Sequence, residues 1–153
     1  MENKKINIAI AIISTVFVAG LGTLFVQLGS NWFDGLTKPA EWVPNIVIPI
    51  VWTVIYILAI IVLVLWINKG TINKNVVWLF IINGALNILW CLVFFTLNQL
   101  LLGLIVIIFN LLFAVKLLVS IFNDNNYYGW LLGIYPVWLM IATALNTAVW
   151  ILN

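Results

Sequence analysis

Five apolar runs, at 6–28, 46–67, 76–97, 99–122 and 127–151, dominate this chain and leave only short polar connections between most of them. Each is long enough to cross a hydrocarbon core of about 30 Å at a rise of about 1.5 Å per residue. Inside that core the backbone must satisfy its own N–H and C=O groups, so each run is read as a helix. A barrel would need segments of about ten residues that alternate in polarity, whereas these runs are apolar on both parities. Composition agrees, with 66% of residues apolar and 7% charged, against roughly one quarter charged in ordinary soluble domains. A soluble fold would have too few polar side chains to cover its surface. The expected architecture is an all-α integral membrane protein, one five-transmembrane-helix bundle over 1–153 without second domain, linker or repeat.

The connections set topology. "NKGTINKN" at 68–75, "NQ" at 98–99 and "NDNN" at 123–126 punctuate the later runs, so the third and fourth helices should form a tight antiparallel hairpin. The long connection, 29–45, is different. From 31 onward, "NWFDGLTKPAEWVPNIVIPIVWTVIY" gathers three Trp, three Pro and three charges, Asp34, Lys38 and Glu41. Prolines stiffen a loop that must hold its shape without regular structure, and the segment is expected to act as a lid. Pro49 is compatible with a helix that starts near 46–48, because first-turn N–H groups have no intrahelical partner. Lys4, Lys5, Lys69 and Lys74 share one side of the membrane against Lys38 on the other. The positive-inside bias then puts the N-terminus in the cytoplasm, in a membrane expected to be the bacterial cytoplasmic one. The first run is longer than a signal-peptide core of about 7–15 residues and no A-x-A-like site precedes Trp32, so it is read as a retained helix.

Absences exclude much chemistry. Without His or Arg, and with Cys91 as the lone cysteine, the chain cannot build a His-ligated haem or zinc site, a Ser–His or Cys–His nucleophile, or an internal disulfide. Cys91 reads as a small packing residue. The four carboxylates, Glu2, Asp34, Glu41 and Asp124, all fall outside the spans. Lys116 is the sole ionisable residue of the acid–base kind at depth, and two readings stand for it: a stem that snorkels to the interface, or a buried partner or ligand contact.

What the chain has in excess is tryptophan, at nine positions. Trp66, Trp78, Trp130 and Trp150 lie near helix ends and fit an interfacial belt. Trp52, Trp90 and Trp138 stand deeper, while Trp32 and Trp42 bracket the lid. Helical spacing puts Trp52, Tyr56 and Ala59 on one face, gathers Asn87, Trp90, Phe94 and Phe95, and strings Trp138, Ala142, Asn146 and Trp150 into one stripe. An amide facing lipid is costly, so Asn87 and Asn146 should point inward, as interhelical glue or as ligand contacts. Gly129 and Gly133 form a GxxxG that allows close packing.

These residues carry a resemblance. "WFDGLTKPAEWVPNIVIPIVWTVIY", "LNILWCLVFF" at 86–95 and the closing "GWLLGIYPVWLMIATALNTAVWILN" resemble, in order, the motifs of the tryptophan-rich sensory protein family, bacterial relatives of the mitochondrial translocator protein (peripheral benzodiazepine receptor). The resemblance implies a five-helix bundle, often a homodimer, that binds porphyrins such as protoporphyrin IX and other flat hydrophobic ligands under the first loop. The implied ligand-binding residues are Trp32, Pro39, Trp42, Pro44, Trp52, Asn87, Trp90, Trp138, Ala142 and Asn146, to which the facing positions Tyr56, Phe94 and Tyr135 are added. Some members are associated with light-dependent porphyrin breakdown, and indoles matching Trp52 and Trp138 would supply electrons to the excited pigment. No cofactor or metal is required; porphyrin enters as ligand. The expected partners are that ligand, membrane lipid and a second copy of the chain, and no nucleic acid.

The sequence also departs from the family pattern. Val43 stands where a second proline is usual beside Pro44, and Tyr135 precedes Pro136 where the family has the reverse order, so the kink of the last helix shifts and the facing of Tyr135 is left open. No basic residue follows Lys116, so a C-terminal sterol motif is not supported. Asp34 is a candidate cap for a short turn, and Lys38 or Glu41 are candidates to meet propionates, with solvated loop charges as the plain alternative. Beside porphyrin sensing stand two other functions: translocation of an apolar ligand (a tetrapyrrole, sterol or lipid) and structural assembly of membrane partners.

Overall fold

The computed structural model describes residues 2–40, 42–70 and 73–153. Its elements are α1 (Glu2–Leu28), α2 (Ser30–Asp34), α3 (Val47–Lys69), α4 (Lys74–Cys91), a π-helical turn (Leu92–Thr96), α5 (Leu100–Asp124), α6 (Asn126–Leu132) and α7 (Ile134–Leu152). No strand occurs among the described residues. Five stretches are long and apolar enough to cross a membrane: α1, α3, α4 with its π turn, α5, and α6 with α7. The chain is an all-α, five-helix membrane bundle.

Local chemistry explains where each helix stops. α3 begins at Val47, so Pro49 falls within its first turn, where a missing N–H costs nothing. It ends at Gly70, whose φ of 76° lets its N–H return to the carbonyls of Trp66 and Ile67. Asn73 and Asn125 cap α4 and α6 by accepting from the N–H groups of Asn75, and of Tyr127 and Tyr128. The hairpin turn between α4 and α5 puts Asn98 at φ 58°, a left-handed conformation that Asn tolerates better than most residues. In the last span the break falls at Gly133, three residues ahead of Pro136. Pro136 has no N–H for the Leu132 carbonyl one turn back, and its ring crowds that carbonyl, so the helix parts there. Tyr135 consequently faces the interior and is buried.

Packing order differs from chain order. α1 lies against α3 and α4, α4 against α5, α5 against α6 and α7, and these last two against α3, which closes a ring. α3 and α4, although consecutive, do not pack backbone to backbone. The interior space between them is where side chains meet. One end of the bundle carries Lys4, Lys5, Lys69 and Lys74 and is called here the lysine end; the segment from α2 to the start of α3 covers the other, the lid end.

Two expectations about single residues are corrected. Trp66, assigned to the interfacial belt, is wholly buried because α6 folds over it and brings the Tyr128 ring to 6.2 Å. Trp78, Trp130 and Trp150 are exposed, as a belt requires. Among the described residues Asp34 caps nothing: it closes α2 rather than opening a turn, and the residue before that helix is Gly29. Lys116 is exposed on the lipid-facing side of α5, which agrees with the snorkelling reading. Cys91 is a free, buried thiol against Gly22 of α1. Gly129 sits under the Phe122 ring, where a Cβ would come within 2.6 Å, so this half of the GxxxG serves the α5–α6 corner.

Candidate functional site

At the lid end aromatic rings from several elements converge. Trp52 of α3 reaches across the interior space to Trp90 of α4, ring centroids 6.1 Å apart. Trp90 stacks on Phe94 at 6.1 Å and meets Phe95 edge-on at 5.7 Å. Phe33 of α2 packs on Phe95 at 5.1 Å and on Trp42 of the lid at 6.0 Å. The π turn makes this possible. Its wider winding buries Val93, Phe94 and Phe95 in succession, and such turns recur at functional positions in helices. Gly29, between α1 and α2, rests directly against the Phe95 carbonyl, where any Cβ would overlap it, and the Thr96 hydroxyl donates to the Phe25 carbonyl at 2.9 Å. The end of α1 and the π turn therefore hold each other in place.

Between these rings lies a slot of about 40 Å³, lined by Trp42, Trp52, Trp90, Phe94, Trp138, Ala142 and Asn146, together with Phe33, Ile48, Phe95, Leu145 and Val149. Of the stripe expected on the last helix, Trp138, Ala142 and Asn146 thus face inward, whereas Trp150 is exposed. The Trp90 indole N–H donates to Asn146 Oδ1 at 3.2 Å, and the Asn146 amide donates to the Ala142 carbonyl at 2.9 Å. The Trp138 N–H has no hydrogen-bond partner, although its ring is buried. A buried donor left unpaired costs about 1–3 kcal/mol, which makes this indole a point where a ligand acceptor would be favoured.

The remaining candidate residues are placed elsewhere. Trp32 packs edge-on to Phe94 at 5.9 Å behind the slot, and Pro39 and Pro44 lie in the lid without lining it. Tyr56, Asn87 and Tyr135 line a second, larger cavity toward the lysine end. Tyr56 stacks on Trp52 at 5.8 Å, and Tyr135 lies 6.4 Å from Trp52, so these three rings form the partition between the two spaces. Lys38 donates to the Phe33 carbonyl at 2.8 Å and lies 4.6 Å over the ring of Phe33, which itself lines the slot. Glu41 lies outside the described residues.

The lid is latched to the far end of the chain. The Thr37 N–H donates to Asn153 Oδ1 at 2.9 Å and the Asn153 amide donates back to the Thr37 carbonyl at 3.0 Å, both at the surface. The Trp42 N–H donates to Asn45 at 3.2 Å.

Two buried amides escaped the sequence reading. The Tyr135 hydroxyl lies 3.1 Å from Asn83 Oδ1 and 3.0 Å from the Asn110 side-chain oxygen as assigned. A hydroxyl has one proton to give, and turning the Asn110 amide over lets it donate to Tyr135 while Tyr135 donates to Asn83. The argument that turned Asn87 and Asn146 inward applies equally to Asn83 and Asn110, since all four are amides within spans.

Comparisons with known proteins agree with this architecture. The pattern of the TspO/MBR family matches residues 9–151. The chain is 31% identical over 150 residues to the Tryptophan-rich protein TspO of Archaeoglobus fulgidus, covering 97% of each. It is 30% identical over 125 residues to Protein CrtK of Rhodobacter capsulatus, covering 80% of this chain and 78% of that one. It is 29% identical over 159 residues to the Tryptophan-rich protein TspO of Chlorobaculum tepidum, covering 100% of this chain and 99% of that one. With the five membrane-spanning helices and a family match over nearly its whole length, this chain belongs to the TspO/MBR family.

Proposed function

We propose that the protein is a membrane receptor for porphyrin-like tetrapyrroles, which bind between the indoles of the lid-end slot. The observation that carries this reading is the convergence of Trp42, Trp52, Trp90 and Trp138, from the lid and three separate spans, on one slot, with the Trp138 N–H buried and unpaired. Flat apolar rings bind such surfaces by area burial and by stacking, at about 0.5–1.5 kcal/mol per good aromatic pair beyond the area term. The Trp138 donor suits a pyrrole nitrogen or carboxylate acceptor, and Lys38, beside the slot-lining Phe33, supplies positive charge for propionates. At about 40 Å³ the slot admits no macrocycle while the lid is down, so binding requires the lid to lift. Its surface latch to Asn153 is suited to that.

The test is a titration of the purified protein with protoporphyrin IX, followed by quenching of indole fluorescence in the dark and under illumination. The parent should show saturable quenching. Trp52→Phe and Trp138→Phe should each bind about tenfold more weakly, the size of one lost stack or hydrogen bond. Slower bleaching of the pigment by both variants in the light would support electron supply from these indoles. Variants that bind and bleach like the parent would overturn the assignment.

A further inference from the structure

One charged side chain stands outside the slot, the lid and the lysine cluster. Lys116 lies one turn past Leu112, the midpoint of α5 (Leu100–Asp124). With that helix centred in a hydrocarbon core of about 30 Å, the Lys116 backbone sits about 6 Å from the midplane and about 9 Å inside the core's edge. The residue is exposed, and Leu112, Val115 and Val119 around it are exposed apolar side chains, so this face of α5 meets lipid. Its ammonium has neither an ion-pair nor a hydrogen-bond partner among the described residues; only its carbonyl is engaged, by the Ser120 hydroxyl at 2.8 Å.

The stem cannot lift this charge clear of the core by itself. α5 runs toward the lysine end, and Cα–Cβ bonds tilt toward a helix's N-terminus, so the side chain leaves the backbone facing the midplane and has to turn back. A cation held at such depth is stabilised when polar groups of the interface are drawn down to it.

The surface of α5 marks where they come from. Lys116, Ser120 and Asn123, at i, i+4 and i+7, make one polar stripe that climbs from the cation toward the lysine end. Asn123 is exposed and Ser120 half-buried. The Ser120 proton is committed to the helix carbonyl, so the stripe holds no negative group of its own, while the Asn123 amide offers two N–H donors. A cation below and amide donors above suit an anionic oxygen group arriving from the interface. The surrounding charge selects among lipids. Lys4, Lys5, Lys69 and Lys74 are all exposed at this end, and Asp124 is the one carboxylate there whose side chain is described. Such an end attracts anionic headgroups, whereas a zwitterionic lipid would bring its own ammonium among the lysines.

We propose that the Lys116–Ser120–Asn123 stripe is a binding site for one anionic phospholipid of the leaflet at the lysine end. Its phosphodiester is drawn below the headgroup plane, pairs with the Lys116 ammonium and accepts from the Asn123 amide. Its acyl chains run along Leu112 and Val115, outside the bundle and apart from both interior spaces.

The experiment is native mass spectrometry of the full chain released from nanodiscs of phosphatidylcholine with phosphatidylglycerol as the minor lipid. The parent should retain one phosphatidylglycerol in preference to phosphatidylcholine. Lys116→Gln should weaken that retention about tenfold, the size of one charge-assisted hydrogen bond. Lys116→Arg should preserve it, and Asn123→Leu should weaken it about threefold. Lys74→Gln removes the same charge from the same end and should change nothing. Each of these side chains is exposed, so none of the variants disturbs the packing of the bundle. A parent that retains no phosphatidylglycerol, or retains phosphatidylcholine equally well, would overturn the proposal. So would parent-like retention by Lys116→Gln, or an equal loss in Lys74→Gln, which would reduce the effect to diffuse attraction by the lysine end.

Discussion

Tyr135 places a single hydroxyl between Asn83 of α4 and Asn110 of α5, so one side chain of α7 ties three spans together. Asn110 is wholly buried. Tyr135→Phe should lower the melting stability of the purified protein by about 1 kcal/mol, since interhelical hydrogen bonds in membranes contribute about that much or less. Protoporphyrin quenching should be unchanged, because the hydroxyl points away from the slot; a melting curve identical to the parent's would remove the network from the account of stability. Such sites were half legible in the sequence. The cost of an amide in lipid predicted inward faces for Asn87 and Asn146, both of which are buried, and the same reasoning reaches Asn83 and Asn110 once it is applied to every span. Trp66 shows the limit. Its place near a helix end suggested an interfacial ring, but only the fold-back of α6 decides that it is covered, and that packing has no local signature.

Among elements, the lid packs its rings on Phe94 and Phe95, but its ties to the C-terminus are exposed hydrogen bonds. Asn153 contributes two of them, to the backbone of Thr37. Asn153→Ala should therefore speed protoporphyrin association about fivefold, by the loss of exposed hydrogen bonds that each contribute little, and should leave the saturating extent of quenching as it was. Stopped-flow fluorescence checks this, and an unchanged association rate would mean that the latch does not limit entry. The spans themselves were readable because hydropathy over some twenty residues outweighs every local preference. The prolines and Trp residues of 31–56 announced the lid. The π turn at Leu92–Thr96 was not announced: the contact that accompanies it, Gly29 on the Phe95 carbonyl, joins segments far apart in sequence.

For the molecule as a whole, the lysine bias predicts that the end bearing Lys4, Lys5, Lys69 and Lys74 faces the cytoplasm. The buried state of Cys91 makes a direct test possible, since the native thiol adds little background. In intact cells a membrane-impermeant thiol reagent should label Lys38→Cys and spare Lys69→Cys, with the pattern equalised after lysis; the reverse pattern would invert the orientation. The molecule divides the residues first grouped as one pocket into two compartments. That division could not be read from helical faces alone, because Trp52 and Tyr56 lie one turn apart on the same face yet stand on opposite sides of it.

The way α1 is tethered has a mechanical consequence. It is pinned near one extremity by the Lys4 ammonium on the Asn68 carbonyl, at 2.9 Å, and near the other by Thr96 on the Phe25 carbonyl. The stretch in between keeps its backbone bonds within its own turns. Such a rod can bow outward at mid-length without breaking a polar contact, so it gives the interior a compliant wall and not a fixed bore.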